Sequence, residues 1–145
     1  MYALDVAIQT FWTANATALA SIVGGISPDL QPPGTLTPYV VTYQPPAQGK
    51  LLRAFAKESF KRTLAEPCTF KFSVFAGPRA TAAQSAELIA SVFDDATLTL
   101  SAGKSIQCVR DRSIYVITDI IGNLDQNGNQ IWQGILYYNI LVAPA

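Results

Sequence analysis

Apolar residues at Leu4, Ile8, Phe11, Leu19 and Ile22 recur at spacings of three and four, which predicts a helix over about Ala3–Val23. Asn15 interrupts this stripe, Trp12 and Val23 widen it, and four alanines between Ala14 and Ala20 favour helix. Gly24-Gly25 is expected to end it. The prolines between Pro28 and Pro38 then predict a loop, and Tyr39-Val40-Val41-Thr42-Tyr43 a short strand. The stretch Gln48–Lys57 fits either a helical turn or a loop. From Glu58 the period becomes two, with Phe60 and Leu64 against Lys61 and Thr63, then Phe70, Phe72 and Val74 against Thr69, Lys71 and Ser73. The two runs read as a hairpin turned at Ala65-Glu66-Pro67.

Gly77-Pro78 opens a second predicted helix, about Arg79–Asp94, whose stripe is Ala82, Ala86, Ile89 and Phe93, broadened by Leu88 and Val92. Strands follow at Ser105–Asp111, Ile114–Ile121 and Gln130–Val142. The pair Asn127-Gly128 marks the last hairpin turn. Helix, three strands, helix and about three strands make an α+β fold. The expected architecture is a mostly antiparallel or mixed sheet with two amphipathic helices packed on one face, in a single domain spanning 1–145.

The closing strand departs from simple alternation. Ile131, Ile135, Tyr137 and Leu141 lie on one face, and Trp132, Leu136, Tyr138, Ile140 and Val142 on the other. A sheet covered on one side should alternate apolar with polar. Either a second layer of the chain or a neighbouring subunit covers the other face. Two helices are few for both faces, so a neighbour is the favoured reading. Trp132 and Tyr138 are then the candidate subunit-interface residues, since aromatic side chains often anchor interfaces.

Composition sharpens this picture. Charged residues are 14% of the 145-residue chain and hydrophobic ones 50%, where an ordinary soluble domain carries about 25% charge. Surface poor in charge suggests that some of it is covered by other protein. Ten basic and ten acidic residues give net charge +0, which argues against binding driven by bulk phosphate neutralisation. The basic residues Lys57, Lys61 and Arg62 read as a solvated strand edge before a nucleic-acid patch. The longest weakly polar stretch, 14–26, is too short and too polar to span a membrane, and no signal peptide is expected at the N-terminus. A reducing compartment follows, with Cys68 and Cys108 as thiols in strands.

The search for chemistry returns fragments. The chain has no histidine, which removes Ser-His-Asp and Cys-His arrangements. Ala102-Gly103-Lys104-Ser105 resembles the end of a phosphate loop, but Leu98 stands where the first glycine is required, so a turn between strands is expected. Asp125, Asn127 and Asn129 resemble the start of a calcium loop, but Gln130 and Leu136 stand at the positions needing glycine and an acid. Asp94-Asp95 reads as solvated turn residues, and Asp111 as locally paired with Arg110 and Arg112. Asn15-Ala16-Thr17 matches a glycosylation pattern inside a helix. No catalytic residue, metal or cofactor is assigned.

Three places resemble the tail terminator (tail completion) proteins of long-tailed bacteriophages. The first is the N-terminal helix followed by Ile26-Ser27-Pro28-Asp29-Leu30, then Gly34-Thr35 and Pro38-Tyr39-Val40-Val41. The second is Phe70-Lys71-Phe72-Ser73-Val74-Phe75 leading into the Ala-rich helix with Leu88-Ile89 and Val92-Phe93. The third is the long closing strand Ile135–Val142. The match runs through nearly the whole chain, and the stretch Pro45–Lys57 departs from it by its length. The resemblance implies a non-enzymatic virion protein of the tail or neck, assembled in the host cytoplasm into a ring, usually a hexamer. The ring would cap the head-proximal end of the tail tube and stop its polymerisation. Its partners would be other copies of itself, the tail tube protein, and a neck, stopper or head-completion protein, with DNA passing through the lumen. Another neck or tail protein of the virion is the alternative, and a small-molecule binding module or enzyme a more distant one. Pro28, Asp29 and Leu30, with Asn127 and Gly128, are the candidate docking loops, because contacts concentrate on irregular exposed segments of a rigid scaffold.

Overall fold

The computed structural model describes residues 2–28, 34–43, 66–100, 103–110 and 114–144. Helix α1 spans Tyr2–Ala14 and helix α2 spans Arg79–Phe93. The strands are β1 (Ile26–Pro28), β2 (Tyr39–Tyr43), β3 (Glu66–Ala76), β4 (Thr99–Leu100), β5 (Gly103–Arg110), β6 (Tyr115–Thr118) and β7 (Trp132–Pro144). They form one sheet in the order β1-β2-β3-β7-β5-β4, with β6 also paired to β7. The β1–β2 pair is parallel and the other pairings are antiparallel, so the fold is α+β with a mixed sheet.

Strand β7 is the spine. β3 pairs with it from Glu66↔Val142 to Ala76↔Trp132. The opposite edge is shared end to end by β5, from Gly103↔Pro144 to Arg110↔Tyr138, and β6, from Tyr115↔Ile135 to Thr118↔Trp132.

One face of the sheet packs against both helices. Phe70, Phe72 and Val74 of β3, Leu136, Tyr138 and Ile140 of β7, and Cys108 of β5 are each 1% exposed or less. They meet Ile8 and Trp12 of α1, and Ala86, Ile89, Ala90 and Phe93 of α2. Phe93 is the hub, with ring centroids 4.9 Å from Phe72, 5.0 Å from Phe11 and 6.4 Å from both Trp12 and Tyr138. Burying each such ring stabilises the fold by about 1.5–3 kcal/mol.

Three expectations change. The first helix ends at Ala14, not near Val23. The Asn15 Nδ2 donates to the Phe11 carbonyl at 2.9 Å, and its backbone N–H is shared between the Phe11 and Trp12 carbonyls. An asparagine side chain that competes for the last carbonyls favours a helix end over continuation. The chain then proceeds as successive turns, which still bury Leu19 and Ile22 but leave Val23 61% exposed.

The turn expected at Ala65-Glu66-Pro67 also fails, because Glu66 and Pro67 are the first residues of β3, paired with Val142 and Leu141. Proline is tolerated at the start of a strand, and here β2 pairs only with Lys71–Phe75 further along. The run Glu58–Leu64 and the ambiguous Gln48–Lys57 lie outside the described residues.

The third change concerns β7. Its Leu136, Tyr138 and Ile140 lie under the chain's own helices, so Tyr138 is a core residue, whereas Trp132 at the start of the strand is half-buried. Chain order explains this: α2 follows β3 directly and lies across β3 and β7. The opposite face carries Ile131 and Ile135, both buried, with Tyr137 half-buried and Asn139 exposed.

Candidate functional sites

Two places concentrate polar chemistry. The first ties the C-terminal end of α2 to the sheet. The Tyr138 hydroxyl donates to Asp94 Oδ1 at 2.7 Å, and Arg110 Nη2 lies 3.7 Å from Asp94 Oδ2. Burial, then the Asp94 hydrogen bond and charge, push the Tyr138 hydroxyl well above the usual phenol range. The phenol therefore stays a proton donor. Asp94, read from sequence as a solvated turn acid, instead receives a buried donor. Tyr138 is 1% exposed, so the group works as a clamp between helix and sheet.

Nearby, burial pushes the Cys108 thiol up to about 11. Cys108 is a free cysteine in the core, 1% exposed. Among the described residues no group of three or more His, Cys, Asp or Glu side chains could hold a metal ion. Leu100 pairs with Gly103 and Thr99 with Lys104, so Gly103, Lys104 and Ser105 of the phosphate-loop fragment belong to strand β5, and Ala102 lies outside the described residues.

The second place is the long hairpin between β6 and β7. Its tip is built by local polar bonds. Asp125 Oδ1 accepts the backbone N–H groups of Asn127 at 2.9 Å and Asn129 at 2.8 Å. Gln130 donates to the Ile120 and Ile131 carbonyls and accepts from the Gly122 N–H. Asn123 Nδ2 donates to Asp119 Oδ2 at 2.8 Å. Asp125, Asn127 and Asn129 thus act as turn formers, not as a converging ligand set. Asn127 and Gly128 are exposed at the tip, with Gly128 at φ 80°.

The tip is fastened to the chain that precedes β2. Gln126 Oε1 accepts from the Thr37 hydroxyl at 2.7 Å and the Thr37 N–H at 3.2 Å, and Gln126 Nε2 donates to the Thr37 carbonyl at 2.8 Å. Thr37, near the end of the proline-rich loop, therefore meets the hairpin tip at one end of the molecule, whereas Pro28 pairs with Thr42, further along β2 and away from that end. The sequence gives no sign of this contact, because a lone glutamine and a lone threonine carry no pairing signal. Gly77 closes the same end. A side chain there would come 2.6 Å from the Gln130 carbonyl oxygen and 2.9 Å from Asp125 Oδ2, so glycine lets the entry of α2 approach the hairpin base.

This end is apolar as well as polar. Leu36 is 55% exposed, Ile120 76%, Ile121 89% and Leu124 55%. Periodicity assigned Ile120 and Ile121 to a strand, so their exposure was missed. Trp132, the other expected interface residue, lies half-buried at this end, with the Arg79 guanidinium 5.8 Å from its ring centroid. Pro28 is exposed at the end of β1, and Asp29 and Leu30 lie outside the described residues.

No family model matches the chain. No curated protein matches it either. Among solved structures, a chain from the virion of a native gene transfer agent particle has a similar fold. The two share 21% identity and superpose with a TM-score of 0.65, covering 99% of each chain. The chain has the fold of that virion component from end to end.

Proposed function

We propose that this chain is a virion structural protein of a phage-type particle, without enzymatic activity, and that it acts as a tail terminator. It caps the head-proximal end of the tail tube as a ring, hexameric by the resemblance, stops tube polymerisation and joins the tail to the head. The observation that carries the reading is the end-to-end likeness, 99% of both chains, to a component of a gene transfer agent virion. Three terminator-like segments support the finer role: β1 leading to β2, β3 leading to α2, and the closing strand β7. A ring requires a heterologous interface that closes under rotation. The exposed apolar end of the molecule fits such a requirement. Its partners in this reading are its own copies, the tube protein and a neck or stopper protein, with DNA passing through the lumen.

The deciding experiment is deletion of the gene in its particle. Overlong or headless tails are the expected result, whereas tails of normal length would move the protein to another neck position. Purified chain should form a closed ring in negative-stain images or bind the ends of purified tail tubes. A strict monomer that ignores tubes would sink the reading. Trp132→Ala should weaken ring assembly more than folding, and a variant that unfolds as a monomer would return Trp132 to the core.

A further inference from the structure

Strands β1 and β6 are edges of the same sheet, and among the described residues no strand lies beyond either. We propose that copies of the chain join edge to edge, with β6 of one copy adding antiparallel to β1 of the next, so that their sheets run on into one another. The inference deepens the ring reading above, and rests on it, by naming the contact through which copies join.

The main chain decides what each edge offers. The Asp119 N–H donates to the Ile131 carbonyl at 3.2 Å. Inward and outward groups alternate along an antiparallel strand, so Tyr115 and Ile117 also turn theirs to β7, while Val116 and Thr118 turn theirs outward. On β1 the Gly25 carbonyl accepts from the Val40 N–H at 2.9 Å, and the Ser27 carbonyl accepts from the Thr42 hydroxyl at 3.5 Å. Ile26, between them, therefore points its N–H and carbonyl away from β2. Outward main-chain groups are a template for a further strand, and proteins blunt such edges with lysine, proline or a bulge. Tyr115-Val116-Ile117-Thr118 has none of these. Pro28 has no N–H to donate, so it limits pairing on β1 to the region of Ile26.

The registers place the two edges at one level. Ile26, Val40, Val74, Gly134 and Val116 form one row across the sheet, and Ser27, Val41, Ser73, Ile135 and Tyr115 form the next. β1 is parallel to β2, and three antiparallel pairings lead from β2 to β6, so β6 runs antiparallel to β1. A neighbour displaced sideways thus sets Val116 opposite Ile26 of the next copy, where the two exchange both main-chain hydrogen bonds, and sets Tyr115 opposite Ser27 of that copy. The faces agree as well. Ile26 and Val116 belong to the row of the core residues Val40 and Val74, while Ser27 and Tyr115 belong to the row of Ile135, on the other face.

Edges at the same height give a heterologous contact with no rise along the strands, the condition for a closed ring instead of a helix. A β6–β6 pairing would use one edge twice and stop at a dimer. Exposed apolar side chains flank both edges: Tyr115 and Ile117 on β6, Ile120 and Ile121 just after it, and Val23 just before β1. In the level register Val23 of the next copy comes beside the residues that follow β6, so the contact buries apolar surface in addition to pairing main chain.

The test is a cross-link in the full chain. Within one copy Ser27 and Tyr115 stand four strand spacings apart, about 19 Å, too far for a disulfide. Opposed across the edge they form a non-hydrogen-bonded pair with Cα atoms about 4.5 Å apart, within disulfide range. Ser27→Cys/Tyr115→Cys, oxidised with oxidised glutathione over a concentration series, should give a ladder of covalent multimers on a non-reducing gel that ends at the ring. Each single variant should stay monomeric there, and a mixture of the two singles should stop at a dimer. Sedimentation velocity is the second readout. Ile117→Lys blunts the edge and should weaken association at least about tenfold, equal to about 1.4 kcal/mol. Circular dichroism first establishes that it is folded, and Thr118→Lys replaces it if it is not.

A double variant no more cross-linked than the singles, a Tyr115→Cys chain that dimerises alone, or a blunted edge that associates like wild type would each overturn the pairing. A ring that forms without the cross-link overturns the pairing and leaves the terminator reading standing. Cross-linked rings together with tails of normal length on gene deletion would do the reverse.

Discussion

At the scale of single residues, Tyr138 shows how a side chain read as an external anchor can be an internal one. Its ring touches Phe72 edge-on at 5.6 Å, and its hydroxyl reaches Asp94 at 2.7 Å. Tyr138→Phe keeps the ring and deletes a hydrogen bond to a charged group, so urea unfolding should report a loss of about 1.5–3 kcal/mol. An unchanged midpoint would mean that the clamp contributes nothing. Cys108 makes a second prediction. Its thiol titrates near 11 when folded, against 9.0 as the ordinary value. Between those values the folded chain holds a proton that the unfolded chain has released, so stability is full below pH 9 and falls as pH rises towards 11. The loss from this group is on the order of 2 kcal/mol. Cys108→Ala, compared with wild type in melts from pH 8 to pH 11, should flatten that part of the profile. The folded thiol should also resist alkylation at pH 8.

At the scale of elements, α2 depends on a missing side chain in the strand beneath it. A Cβ at Gly134 would stand 3.1 Å from both the Ala82 carbonyl oxygen and the Ala86 Cβ. Gly134→Val should therefore lift α2 from β7 and cost about 1–3 kcal/mol, the usual range for overpacking, measured as a shift in urea midpoint. A midpoint within error of wild type would mean that the helix can shift freely. Elements with strong periodicity were legible in the sequence: α2 through Ala82, Ala86, Ile89 and Phe93, β2 from its β-branched and aromatic run, and the β6–β7 hairpin from Asn127-Gly128. The errors came where one polar side chain or one pairing partner decides. Asn15 ended α1 through a bond to Phe11 that apolar spacing does not register. Pro67 looked like a turn because its tolerance at the start of β3 depends on which strands flank it there. Which face of β7 the helices cover depends on packing, and both faces are apolar in sequence.

At the scale of the whole molecule, the fold sorts its surfaces by end. The tip end gathers Leu36, Ile120, Ile121, Leu124 and Trp132, drawn from three separated stretches of chain. The proline-rich loop and the hairpin tip were legible as irregular segments, but the union of Thr37 with the tip was not, since it rests on Gln126 reaching Thr37 across 89 positions. That union can be tested apart from overall stability. Gln126→Ala removes three hydrogen bonds to Thr37 while leaving the aromatic core beneath α1 and α2 untouched. Thr37 is 7% exposed, so losing its partner should cost about 1–2 kcal/mol in global unfolding. Local effects should be larger than that figure suggests. Amide exchange should accelerate at residues 120–129 and 34–38 while β3 and β7 remain protected, because the tip would open without unfolding the sheet. A loosened tip must be ordered again on binding, so association of copies should weaken by more than the change in global stability accounts for. Exchange that rises uniformly across β3, β7 and the tip would instead make Thr37–Gln126 an ordinary part of the core. The tip would then lose its standing as a preformed contact surface.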